Sequence, residues 1–146
     1  MNNPQLLPPG PPVPVVDVAG FLSKNQVARL TAQVEALERD TGFRLRVLAQ
    51  AYPNTPGLAV RDYWAVDDNT VVFVADPNTG NILNFNVGAA VDLAVPRNFW
   101  TRLANKYGVK KYWANAGEEA AIESAVNAIN ACLREPQGVG QCRTIL

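Results

Sequence analysis

Four carboxylates stand where turn-rich segments meet apolar runs: Asp17, Asp67, Asp68 and Asp92. Each falls near the end of an expected strand or helix, and in α/β sheets ligands gather at such ends. Oxygen donors without imidazole would suit a hard divalent cation, Ca2+ or Mg2+. Their spacing matches no linear metal motif. The competing assignment is that Asp67 and Asp68 cap a turn and Asp92 caps a helix. Asp76 belongs to a turn at the opposite end of its strand from Asp68 and is given a structural role. The chain has no histidine, which excludes Ser-His-Asp catalysis and zinc-hydrolase chemistry of the imidazole-ligated kind. No glycine-rich phosphate loop or nucleophile elbow is present.

A second set is cationic and aromatic: Arg97, Arg102, Lys106, Lys110 and Lys111, with Tyr112 and Trp113 following the last two. Such a stripe is either a solvated face or a contact for an acidic protein surface. The aromatics are either core or an anchor beside it. Cys132 and Cys142 are the only cysteines. A disulfide between them would tie the tail to the last helix, at about 2–3 kcal/mol, and would imply an oxidising compartment. Two unrelated cytosolic thiols are the alternative.

These groups must be positioned by one domain. The chain has 146 residues, 48% hydrophobic and 18% charged, enough to bury a core without staples. Thirteen basic residues balance thirteen acidic ones, so no net field draws the chain to nucleic acid or an anionic membrane. No apolar run approaches the roughly 20 residues of a membrane span, and no transmembrane segment is expected. Met1-Asn2-Asn3 fits the start of a mature form whose targeting peptide has been removed.

Residues 1–14 carry six prolines and a glycine and are expected to form an extended arm. Residues 15–22 read as a short apolar segment with a turn at Gly20. Ser23 and Gln26 form a capping box, followed by Val27, Leu30, Val34 and Leu37 at helical spacing. Gly42 is a candidate C′ residue. Phe43, Leu45 and Val47 then alternate with Arg44 and Arg46 as a strand. Thr55 and Pro56 look like the start of a second helix ending near Trp64.

Residues 67–88 read as a hairpin: a β-branched run at 70–75, a turn at 76–81, and Leu83, Phe85 and Val87 alternating with Asn84 and Asn86. Beyond it, residues 89–95 are a short helix or turn, and 96–107 a helix ended by Gly108. A last helix opens on Glu118 and Glu119, which suit the helix dipole. It buries Ile122, Val126, Ile129 and Leu133. The expected fold is a three-layer α/β/α sandwich. Its small central mixed sheet, a β-α-β unit plus the hairpin, is flanked by about four helices. The domain occupies 15–133, and the tail 134–146 is tied back by the disulfide.

Several of these segments resemble the TPM domain family. Val15-Val16-Asp17-Val18-Ala19-Gly20-Phe21-Leu22-Ser23 is similar to its opening signature, and Thr41-Gly42-Phe43-Arg44-Leu45-Arg46-Val47 to its helix-to-strand junction. Asp68-Asn69-Thr70-Val71-Val72-Phe73-Val74 resembles its central strand, with Thr70 in place of the usual glycine. The family's Gly-Glu after the third strand is Gly88-Ala89 here, which removes one candidate ligand. Residues 99–108, the late aromatic patch and the cysteine tail look most like the small lumenal members of plant and algal thylakoids.

That resemblance implies a thylakoid lumen location and a non-catalytic accessory role with photosystem II or its assembly and repair intermediates. The alternative it implies is a divalent-metal acid phosphatase. There Asp17, Asp67, Asp68 and Asp92 would hold the cation, which polarises the phosphoryl oxygen or activates water.

Overall fold

In the computed structural model, which describes residues 2–146, alternation along the strands decides what each face of the sheet can bury. Strand β2 (Arg44–Ala49) buries Leu45, Val47 and Ala49 on one face and Leu48 on the other. Strand β3 (Thr70–Ala75) does the same with Val71, Phe73 and Ala75 against Val72. The sheet is completed by β1 (Val15–Asp17) and β4 (Leu83–Val87), in the order β1-β2-β3-β4. The first three strands are parallel, and β4 returns antiparallel to β3. Residues 15–17, expected only as an apolar segment, form an edge strand, so the parallel β-α-β step occurs twice.

The first face carries most of the helical mass. Helix α1 (Lys24–Thr41) contributes Leu30, Val34 and Leu37. Its capping box is present, and Gly42 closes it at φ 83, the left-handed conformation that a Cβ disfavours. Helix α6 (Glu118–Arg134) buries Ile122, Val126 and Ile129, and α4 (Phe99–Tyr107) buries Phe99 and Leu103. Helices α3 (Ala89–Leu93) and α5 (Lys110–Ala116) fill the remaining ground.

The second face is covered thinly. Val16, Leu48, Val72 and Trp64 form its cluster, with Leu7, Val60 and Tyr63 packed on it. The covering is helix α2 (Ala59–Tyr63) and the proline-rich arm. The arm is fastened by hydrogen bonds: Asn3 N–H to the Pro56 carbonyl (3.2 Å), Asn3 Nδ2 to the Thr55 carbonyl (3.0 Å), and Trp64 Nε1 to the Val13 carbonyl (2.8 Å). The three layers of the expected α/β fold are therefore unequal. Among the described residues there are six α-helices, two more than expected.

Helix starts differ from the spacing-based expectation. Thr55 and Pro56 are buried and hold the arm, so α2 begins only at Ala59. Pro96 precedes a turn, with Phe99 N–H on its carbonyl and Asn98 at φ 67, so α4 begins at Phe99. The run 110–116, expected as an aromatic and basic patch, is helical. At the C-terminus, Cys132 and Cys142 form a disulfide with a Cα separation of 5.1 Å. Gln141 Nε2 donates to the Ala94 carbonyl (2.7 Å), and Ile145 and Leu146 pack on the core.

Candidate functional site

The parallel register sets where each carboxylate lies. Asp17 ends β1 opposite Ala49, which lies opposite Ala75. Asp67 and Asp68 precede Thr70 at the other end of β3. A six-residue strand separates the two ends by about 20 Å. The four carboxylates are thus not brought together. Among the described residues, no group of three or more Asp, Glu or Cys side chains is arranged to hold a metal ion.

Asp17 is occupied locally. Its Oδ1 accepts N–H bonds from Gly20 (2.8 Å) and Phe21 (3.1 Å), and its Oδ2 accepts one from Leu22 (2.8 Å). It shapes the loop that delivers the chain to α1. At the same sheet end, Asp76 is fully buried and accepts from Gln50 Nε2 (2.9 Å), Tyr52 N–H (3.1 Å) and Asn78 N–H (2.9 Å). These donors satisfy a carboxylate that burial would otherwise penalise.

At the opposite end, Asp67 Oδ1 accepts from Thr70 Oγ1 (2.8 Å) and Asn69 N–H (3.0 Å), with Arg44 Nη1 at 3.7 Å. The Thr70 hydroxyl leads these in holding the carboxyl below its ordinary value, helped by the Asn69 amide and the Arg44 guanidinium. Arg44 also donates to the carbonyls of Trp64 and Ala65 and to Thr70 Oγ1. Spacing gives Arg44 only as a polar position in a strand, yet it joins the 64–70 loop to β2. Asp68 is exposed, and its carbonyl accepts Ala90 N–H (3.0 Å). A Cβ on Gly88 would run into that carbonyl, so glycine is what allows the hairpin to close here. Asp92 is exposed within α3 and borders a separate hollow of about 480 Å³ with Arg97 and Trp100.

Asp67 and Asp68 border an open groove of about 760 Å³ on the second face. Its floor includes Leu48, Val72 and Val74, and its rim includes Arg61, Thr70 and Asn86. Two exposed carboxylates beside Arg61 offer charge at one end, without the converging donors of a closed catalytic pocket.

The cationic set is placed differently. Arg97, Arg102, Lys106, Lys110 and Lys111 are exposed. Among the described residues, none pairs with an Asp or Glu side chain, whereas five ion pairs form elsewhere. No Asp or Glu occurs from 93 to 117. Lys106 reaches the Leu146 carbonyl (3.5 Å) and lies 5.3 Å from the Tyr107 ring. Tyr112 and Trp113 are half-buried and pack on the core. The Tyr112 hydroxyl meets Ser124 Oγ at 3.0 Å, and its ring meets Tyr107 edge-on. The aromatics hold α5 to α6, leaving the cations as the available chemistry.

A family model described as the TPM domain matches residues 15–132. The chain belongs to the TPM domain family. The match ends at the first half-cystine, so most of the disulfide-held tail lies beyond the matched TPM domain. The chain is also similar to thylakoid lumenal 15.0 kDa protein 2, chloroplastic, of Arabidopsis thaliana, 60% identical over 145 residues. That alignment covers 99% of this chain, which spans 65% of the relative's length. The location implied by the resemblance is the relative's own. The solution structure of the N-terminal domain of a P. gingivalis protein matches with a TM-score of 0.71 at 16% identity, over 89% of this chain and 90% of that one. At that identity it shows a shared fold alone.

Proposed function

We propose that this TPM domain is a non-catalytic accessory protein of the thylakoid lumen that binds photosystem II or one of its assembly or repair intermediates through the α4–α5 surface. The carrying observation is the acid-free run 93–117, whose five exposed cations have, among the described residues, no Asp or Glu partner. The whole chain is neutral, so this is a local field. Such a patch speeds encounter with an acidic surface and sets orientation more than it adds affinity. The relative's lumenal name supports the compartment. Photosystem II enters through the family resemblance.

The metal-dependent phosphatase alternative needs Asp17 beside Asp68, and the parallel register separates them. A tagged full chain should recover solubilised thylakoid complexes, with recovery falling as salt rises. Lys110→Glu with Lys111→Glu should reduce recovery several-fold without changing the fold, since both side chains are exposed. Unchanged recovery would remove this surface from consideration.

A further inference from the structure

The two edges of the sheet are finished differently. Strand β1 is three residues long, and Pro12 and Pro14 lead into it; a short edge flanked by residues without N–H groups resists further pairing. Strand β4 is Leu83-Asn84-Phe85-Asn86-Val87, with no proline and no charge. Hydrogen bonding fixes which of its backbone groups are free. Asp76 N–H donates to the Ile82 carbonyl (2.9 Å) and Gly88 N–H to the Thr70 carbonyl (2.8 Å). In the register Val74↔Asn84 and Val72↔Asn86, the ladder bonds to β3 therefore fall on Asn84 and Asn86. The N–H and C=O of Leu83, Phe85 and Val87 face the open side. Asn81 Oδ1 takes the Leu83 N–H (2.9 Å). Among the described residues, nothing takes the groups of Phe85 and Val87.

We infer that the β4 edge accepts an extended, acidic segment of a partner protein as an added strand. Donor and acceptor pairs two residues apart repeat at about 6.8 Å, and a strand is the ligand that matches this spacing. The acidic character follows from α4. Its Trp100 ring lies 5.1 Å from Phe85, and the exposed, unpaired Arg97 and Arg102 flank that residue in the chain. A second copy is disfavoured: two-fold pairing of β4 with itself would set both α4 helices on one side of the joined sheet, with like charges facing. The inference rests on the accessory-binding proposal for the existence of a partner; the open edge itself does not.

The test titrates the full, isotope-labelled chain at low salt with a synthetic peptide of alternating Val and Glu. A second peptide carries N-methyl groups on the pairing amides. With the first peptide, exchange of the Phe85 and Val87 amides should slow about tenfold or more, while the Asn84 and Asn86 amides, already in the ladder, change little. The N-methylated peptide should have no effect. Val87→Pro removes an outward N–H and no ladder bond, and should weaken binding about fivefold.

Unchanged Phe85 and Val87 exchange in the wild-type chain overturns the inference. So does protection of those amides, with dimer formation, when the protein is concentrated alone. In the thylakoid assay, full recovery by Val87→Pro overturns the edge and leaves the accessory proposal standing. Edge binding of the peptide without recovery of any thylakoid complex does the reverse.

Discussion

Asp67 takes its hydrogen bonds from a hydroxyl and an amide, with a guanidinium 3.7 Å away, and the sign of its contribution follows. Its folded pKa is depressed, so its stabilisation is full above the ordinary carboxyl value of about 3.9 and is lost as pH falls through the lowered value. Asp67→Asn should flatten the acid limb of a stability–pH curve measured by denaturant unfolding. An identical limb would show that these bonds carry no weight. Gly88 and Gly42 are constrained for different reasons. Gly88 has an ordinary φ of −64, but a Cβ there would stand 2.7 Å from the Thr70 carbonyl oxygen and still closer to that of Asp68. Gly88→Ala should cost about 1–3 kcal/mol through overpacking. Gly42 has open space around it and a left-handed φ, so Gly42→Ala should cost about 1 kcal/mol through the backbone alone. Thermal unfolding separates the pair. Gly42 was legible as a helix terminator, whereas the crowding at Gly88 arises between residues 68 and 88 and leaves no local signal.

Among the elements, those specified by neighbouring residues were readable. The Ser23/Gln26 box and the 70–87 hairpin follow from side chains three residues apart and from period-two alternation. The placement of Asp17 was not, because it depends on β1 running parallel to β2 and β3. Two valines and an aspartate do not announce a strand, and direction is set by the connections. Those connections cross opposite faces, α1 over the first and α2 over the second, while the chain steps the same way through the sheet. They therefore have opposite hands, and one departs from the usual right-handed crossover. The disulfide is an element-scale constraint across ten residues. Reduction by a dithiol should cost about 3 kcal/mol and admit trypsin at Arg143 before the sheet amides lose protection. Simultaneous loss of both would mean that the tail and core unfold as one.

For the molecule as a whole, two asymmetries coincide. Helices crowd one face of the sheet, and cations that pair with no Asp or Glu among the described residues gather on the α4–α5 side, while the chain stays neutral overall. Composition reported the neutrality and concealed the segregation, since a sum carries no position. The arm, expected to be extended, opens on a short 3-10 helix at Pro4–Leu6, and its attachment was not legible, because its bonds reach residues about fifty positions away. That attachment makes the protein its own optical probe. Trp64, 2% exposed, lies beneath the arm, whereas Trp100 and Trp113 pack with the first-face core. Deleting residues 2–13 should shift emission to longer wavelength, and a Trp64→Phe background should abolish that shift. One indole out of three would then report, without any label, whether the arm is docked.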